Sequence, residues 1–146
     1  MLNPLEQQIA ELLQVQRFMV LCTQSDKGPY CSLVAFAPSQ DLRRIYFCTR
    51  RQTRKFQNLL QEPKVSFLVD DRQNREQDLE QARALTGTGT GAETAGSDPE
   101  PEAFVARHPE LIGFLQAQES ALVEVKVQSY FLVQRFEELQ RLDLDQ

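Results

Sequence analysis

The stretch IYFCTRRQTRKFQNLLQEPKVSFLV, residues 45–69, decides the fold. Ile45-Tyr46-Phe47-Cys48 reads as a strand, and Lys64 to Val69 repeats the pattern after an interruption. The interruption reads as a two-turn helix. Thr53 stands at its N-cap, Phe56, Leu59 and Leu60 share one stripe, and Pro63 stops it shortly after. A helix this short, squeezed between two strands, is an insertion into an antiparallel sheet. A parallel doubly wound sheet is disfavoured because most strand pairs have no crossover helix between them.

Working outward, Phe18 to Thr23 and Tyr30 to Ala37 are extended segments joined by the turn residues Ser25-Asp26-Lys27-Gly28-Pro29, which predicts a β-hairpin. Pro38-Ser39-Gln40-Asp41 makes the next turn. Ahead of the hairpin, Asn3-Pro4-Leu5-Glu6 reads as N-cap, N1 proline and N3 acid, and Leu5, Ile9, Leu12 and Leu13 fall on one helical face. Downstream, Asp70 to Gln81 is polar enough for a loop or an exposed turn of helix. Ala82 to Thr90 alternates glycine and threonine, 92–101 is breaker-rich loop, and Glu102 to Gln118 is helical with an interruption at Pro109. Val123, Val125 and Val127 then alternate with polar residues in a long final strand that continues to Phe136. The reading is a single domain over 1–146, all-β with minor helices. It is a six-stranded antiparallel split barrel with short helical insertions and an N-terminal helix, since closure disposes of exposed edges.

The chain has 146 residues, 41% hydrophobic, with net charge −5. That size buries enough surface to fold without disulfides or a structural metal, and the composition excludes disorder. No apolar run approaches the roughly 20 residues that span a bilayer, and the N-terminus MLNPLEQQIAELLQ carries acids where a signal peptide needs a basic end. A cytoplasmic protein with no membrane partner is expected. Cys22, Cys31 and Cys48 show no CxxC spacing and fall in apolar segments, which predicts small buried thiols with neither a zinc site nor a disulfide framework. A single histidine, His108, gives a hydrolytic triad or His-based zinc site almost no support.

Between Leu42 and Gln61 the chain carries Arg43, Arg44, Arg50, Arg51, Arg54 and Lys55 and no acid, so with the whole chain at −5 the remainder stands at −11. A positive island on an acidic protein suits a small anionic ligand better than nucleic acid, whose backbone would be repelled beyond the patch. Thr53-Arg54-Lys55 opens a helix directly after a strand, where free amides, a hydroxyl, a guanidinium and an ammonium can converge on one phosphate. A solvated helix start with scattered arginines reads equally well from spacing alone. Gly87-Thr88-Gly89-Thr90-Gly91 has GxGxG spacing and leads into prolines, so it is no dinucleotide loop. Such glycines mark a barrel corner or a close approach of another backbone or a flat ligand.

These segments together resemble the pyridoxamine 5'-phosphate oxidase-like flavin-binding split barrels. The resemblance rests on Cys22-Thr23, Gly28-Pro29, Ser32-Leu33-Val34-Ala35-Phe36, Ile45 to Lys55, Asn58-Leu59, Pro63-Lys64-Val65 and Ala84-Leu85-Thr86-Gly87, and covers roughly Leu5 to Phe136. It implies a homodimer with FMN in two equivalent clefts at the subunit interface. Thr53, Arg54 and Lys55 would hold the FMN phosphate with help from Arg50, Cys48 and Thr49 would line the flavin, and Ser32, Leu33 and Val34 would run beside its ring. The segment Asp71-Arg72-Gln73-Asn74-Arg75 would either reach the flavin of the other subunit, through Asn74, or stand as an exposed polar loop.

The authentic pyridoxamine oxidases carry a C-terminal tryptophan and arginine near the flavin. This chain has no Trp, and after Arg135 only Arg141 remains. The resemblance therefore implies a flavin-dependent oxidoreductase of unidentified substrate. Flavin chemistry asks little of side chains, so no catalytic acid or base is named. Tyr30 and Tyr130 are candidates to hydrogen-bond a substrate, with core or interface roles as the commoner alternative. Two other readings stay open: a non-enzymatic flavin-binding protein, and a haem-binding or haem-degrading split barrel in which His108 is the sole candidate axial ligand.

Overall fold

Asn3 starts the chain's first helix, α1 (Pro4–Val15), with a reciprocal cap: its side chain accepts the Glu6 amide at 2.8 Å while the Glu6 carboxylate accepts the Asn3 amide at 3.1 Å. Its apolar stripe, Ile9, Leu12 and Leu13, is fully buried against β-structure that follows. In this computed structural model, which describes residues 1–94 and 100–145, seven strands succeed it. These are β1 (Phe18–Ser25), β2 (Gly28–Pro38), β3 (Arg44–Arg50), β4 (Lys64–Asp70), β5 (Ala84–Glu93), β6 (Ser120–Gln134) and β7 (Glu138–Asp143). The inserted helix α2 spans Arg54–Gln61, α3 spans Asp78–Gln81, and α4 (Glu100–Arg107), a 3₁₀ turn (Pro109–Leu111) and α5 (Ile112–Gln116) precede β6.

All pairings are antiparallel in the order β3-β2-β1-β4-β5-β6-β7, and β3 also pairs with β6, so six strands close into a barrel. The six-stranded antiparallel barrel expectation holds, with one correction at the C-terminal end. The strand expected to run to Phe136 stops at Gln134. Arg135 and Phe136 take left-handed backbone angles (φ 52° and 72°), and the chain returns as β7 along Ser129–Gln134. Sequence periodicity could not reveal β7 because almost all of its residues are exposed, which removes the alternation that identifies a half-buried strand.

One irregularity lets β6 serve the barrel along its full length. Val123, Val125 and Val127 point inward, and so do Tyr130 and Leu132, although the two sets differ in parity. The change occurs where β5 pairs Thr88 with Ser129 but Gly89 with Val127, leaving Gln128 as a bulge. The inward face of β5 carries Leu85, Gly87, Gly89 and Gly91. A Cβ on Gly89 would stand 2.1 Å from the Lys126 carbonyl oxygen, and one on Gly87 2.1 Å from the Phe67 ring, so the glycines mark close approach of another backbone and of a core ring.

The helical reading of 102–118 is met by α4, the 3₁₀ turn and α5, with the break at Pro109. Asp70 to Gln81 is loop plus the exposed α3, also as expected. Of the breaker-rich loop at 92–101, residues 95–99 lie outside the described residues. The cysteine expectation needs correcting: Cys31 is exposed and Cys22 and Cys48 are half-buried, because each sits at a strand position whose side chain faces away from the tightest core. No helix among the described residues is long and apolar enough to cross a membrane.

Candidate functional site

The start of α2 is built from its own sequence. Thr53 sits in extended backbone, its hydroxyl oxygen receives the Phe56 amide at 3.4 Å, and its carbonyl receives the Gln57 amide at 3.1 Å. The same hydroxyl donates to the Arg50 carbonyl at 2.8 Å and lies 3.0 Å from the hydroxyl of the fully buried Thr49. The amides of Arg54 and Lys55, in the first turn, are left to point out of the helix. Behind this turn, Asn58 donates to the buried Thr23 hydroxyl at 3.1 Å, locking α2 onto β1.

The basic island divides in two. Arg51 is bound to Glu93 through two contacts (3.2 and 2.5 Å) and to the Gln118 carbonyl, and Arg44 lies 3.5 Å from Glu124. Arg43 lies 3.9 Å from Asp41. Arg50, Arg54 and Lys55, in contrast, meet no carboxylate among the described residues. Arg50 lies over the Phe114 ring (5.4 Å to its centroid) and Arg54 over the Tyr30 ring (4.3 Å), each held by a π face that leaves its charge uncancelled. Burial lowers the Lys55 ammonium's pKa below the ordinary lysine value.

Arg50 and Lys55 line a cleft of about 490 Å³, a volume suited to a small-molecule cofactor. Its polar wall is Thr49, Arg50, Thr53 and Lys55 together with His108 and Glu110, the latter paired with Arg17 at 2.7 Å, and its apolar wall comes from Phe18, Leu33, Val34, Ala35, Leu111 and Phe114. Cys48 also lines it, and burial pushes that thiol up to about 11. A larger cavity of about 690 Å³ opens between α4, α5 and the start of β6, but its charged lining residues are Glu93 and Glu102, with no Lys or Arg among the described lining residues. Chemistry, not size, selects the smaller cleft for an anion.

Of the ten residues singled out from sequence, the structure brings together Leu33, Val34, Cys48, Thr49, Arg50, Thr53 and Lys55 around this cleft. Ser32 precedes the lining segment on β2 and pairs across to Leu21, and Arg54 sits beside the cleft on the first turn of α2; neither is among its lining residues. Asn74 lies apart in the loop before α3. There the Asp78 carboxylate accepts the amides of Gln73, Asn74 and Arg75, and these bonds, the Gln73 one foremost, lower its pKa.

Residues that sequence reasoning did not assign here are Phe18, Glu110, Leu111, Phe114 and His108. Phe18 comes from the start of β1, and Glu110, Leu111 and Phe114 reach the cleft only through the packing of α4 to α5 over β3, which nothing in the local sequence marks. His108, the sole histidine, is 1% exposed. One ring nitrogen, Nε2, is 2.7 Å from the Phe36 carbonyl oxygen and so carries the proton, and Nδ1 faces Glu110 at 3.9 Å. The lone pair of the neutral ring is then on Nδ1, the nitrogen that faces the Glu110 carboxylate. Tyr130 is likewise a core residue: fully buried, it donates to the Leu42 carbonyl at 2.7 Å, and burial raises its pKa. Among the described residues no cluster of three or more His, Cys, Asp or Glu could hold a metal ion.

Comparison with known proteins bears on the family and the fold. A family model described as pyridoxamine 5'-phosphate oxidase matches residues 5–133. No curated protein matches the chain. Among solved structures, a haem-binding protein from Mycobacterium smegmatis superposes with TM-score 0.76 at 15% identity, covering 98% of this chain and 60% of that one, so this chain spans about three fifths of its length. HutZ, the haem storage protein of Vibrio cholerae, superposes with TM-score 0.67 at 19% identity, covering 97% and 95%. General Stress Protein 26 from Bacillus anthracis superposes with TM-score 0.69 at 18% identity, covering 96% and 100%. At these identities the likeness is one of fold.

Proposed function

This chain belongs to the pyridoxamine 5'-phosphate oxidase family, and from that premise we propose that it is an FMN-binding protein acting as an oxidoreductase, its flavin held in the cleft beside α2. The observation that carries the reading is the trio Arg50, Arg54 and Lys55, uncancelled by any carboxylate among the described residues and gathered where α2 offers unbonded amides. A dianionic phosphate fits that donor set by charge, by hydrogen-bond count and by the helix dipole.

Each residue then has a part. Thr53 Oγ1, Arg54 and Lys55 hold the phosphate, and Arg50 adds charge at its edge. The backbone of Ser32, Leu33 and Val34 and the side chains of Cys48, Thr49 and Phe114 bound the space for a flat ring and exclude water from it. Bound FMN supplies a two-electron carrier whose chemistry is its own, so the chain's task is to bind, orient and desolvate. A homodimer belongs to the same proposal. Phe18 and Leu33 line the cleft yet are 55% and 70% exposed, an apolar wall that a second copy would cover. In that dimer the loop carrying Asn74 would serve the cleft of the other subunit. A cytoplasmic site of action is proposed with it.

Haem fits less well. The haem names belong to the neighbouring proteins, and in this chain the one histidine is 1% exposed, with Nε2 held by Phe36 and Nδ1 facing Glu110.

The test is the visible absorption spectrum of the purified protein, with and without added FMN, then repeated on Arg54→Ala and Lys55→Ala. A flavin spectrum in the wild type is expected, with affinity falling about 10- to 100-fold per substitution, the scale of one charge-assisted hydrogen bond at about 1.5–3 kcal/mol. Unchanged FMN affinity in both variants would remove the site assignment. A Soret band in place of flavin would promote haem. Turnover with reduced nicotinamide and candidate acceptors separates an enzyme from a protein that only binds flavin.

A further inference from the structure

The β1–β2 hairpin turns on two residues, Asp26 and Lys27, between paired Ser25 and Gly28. In such a hairpin the pair flanking the turn is hydrogen-bonded and the pairs then alternate. Gln24–Pro29 falls in a non-hydrogen-bonded position, as Pro29, lacking an N–H, requires. Two residues further on, Cys22 pairs directly with Cys31, again in a non-hydrogen-bonded position, where facing side chains come closest. Their Sγ atoms are 3.3 Å apart with both thiols free. The sequence treated these cysteines as unrelated, and only the hairpin register makes them neighbours.

We propose that Cys22 and Cys31 form a redox-active dithiol that closes to an intramolecular disulfide by exchange with a small aliphatic disulfide. Cys31 is exposed, whereas Cys22 is half-buried at the edge of a recess of about 260 Å³ that it shares with Lys64 and Ser66. Cys31 is therefore the attacking sulfur and Cys22 the resolving one. The Cys31 thiolate breaks the S–S bond of the small disulfide, forming a mixed disulfide and releasing one thiolate. The Cys22 thiolate then attacks Cys31 Sγ, forming the Sγ–Sγ bond and releasing the second thiolate. The protein loses two protons and two electrons, and the small disulfide becomes two thiols.

Closure requires the sulfurs to move from 3.3 Å to about 2.0 Å, within reach of side-chain rotation on a fixed hairpin. Because the register holds the pair in contact, the second step is intramolecular and outruns capture of another small thiol. Burial raises the Cys22 thiol's pKa, with the neighbouring Cys31 adding to the effect, consistent with its waiting as the second nucleophile. A disulfide across directly opposed strands on the surface belongs to the readily reduced kind, so the couple is reversible.

Trypsin provides a clean readout, since cleavage after Lys27 puts Cys22 on peptide 18–27 and Cys31 on peptide 28–43, with Cys48 on peptide 45–50. The reduced protein is treated with oxidised glutathione, quenched with N-ethylmaleimide under denaturing conditions, and digested for mass spectrometry. The expected result is loss of two of the three alkylatable thiols and appearance of the linked 18–27/28–43 peptide. The chain should migrate as a monomer on a non-reducing gel, with Cys48 alkylated. Dithiothreitol should restore all three. In Cys22→Ser, glutathione should remain on Cys31, and in Cys31→Ser modification of Cys22 should slow at least tenfold. Persistent glutathione on Cys31 in the wild type, or a disulfide between chains, would overturn the proposal. Equal rates in the two variants would overturn the assigned order of attack.

Discussion

Cys48 and Cys31 are both cysteines on strands, yet their surroundings set opposite chemistry. Burial pushes the Cys48 thiol from its ordinary 9.0 up to about 11, so at neutral pH it is protonated and a poor nucleophile. With native protein, iodoacetamide should label Cys31 first and leave Cys48 until the pH climbs towards 11; early labelling of Cys48 at neutral pH would contradict this. The sign for stability follows from the raised value. The folded state favours the protonated thiol, so this contribution is complete below about pH 9 and is lost as pH rises towards 11. Tyr130 gives a second prediction, for its hydroxyl is the partner of the Leu42 carbonyl in a dry core. Tyr130→Phe should cost about 1–2 kcal/mol in urea unfolding while FMN affinity stays constant, and a change in flavin binding would mean that Tyr130 is more than a core residue. At this scale the cationic site was readable, because Thr53, Arg54 and Lys55 are consecutive. Phe114 and His108 were not, because they reach the cleft from more than fifty residues downstream.

Among the elements, β5 is packed closely enough at its glycines to feel small changes. Gly89→Ala would drive a Cβ against the Lys126 carbonyl, a backbone atom that cannot rotate away, whereas the nearest atom to a Cβ on Gly91 is the end of the Leu59 side chain at 3.0 Å, with Val123 and Val125 at ordinary contact distance. Thermal unfolding should show Gly89→Ala destabilised by about 2–3 kcal/mol or more and Gly91→Ala by clearly less; equal effects would mean that the β5–β6 approach at the bulge is not the constraint. The Gly-Thr alternation announced close approach but not its partner, since Gln128 and the parity change it imposes exist only once β6 is paired. The helix α2 was legible nearly to the residue, because cap, stripe and proline stop are all local signals. β7 was illegible for the converse reason: its hydrogen bonds go to β6 and its side chains go to water.

At the scale of the whole molecule, charge distribution makes a prediction of its own. The chain is acidic overall, so attraction for an anionic cofactor comes from a local island and not from the net field. FMN affinity should therefore fall as salt is raised, while riboflavin, which lacks the phosphate, should bind more weakly with little salt dependence; parallel salt dependence for both would argue against a phosphate subsite at α2. Analytical ultracentrifugation should find a dimer, and a monomer that retains FMN would remove the proposed interface from the cofactor site. The sequence by itself determined the strand-rich class, the capped helices and the phosphate-like motif, since turn chemistry, periodicity and consecutive cations act over a few residues. Tertiary structure alone decided which cations are neutralised by Glu93 and Glu124, how α4 to α5 complete the cleft, and that Cys22 faces Cys31. Each of these depends on strand register and barrel closure, which bring together residues that no short window of sequence contains.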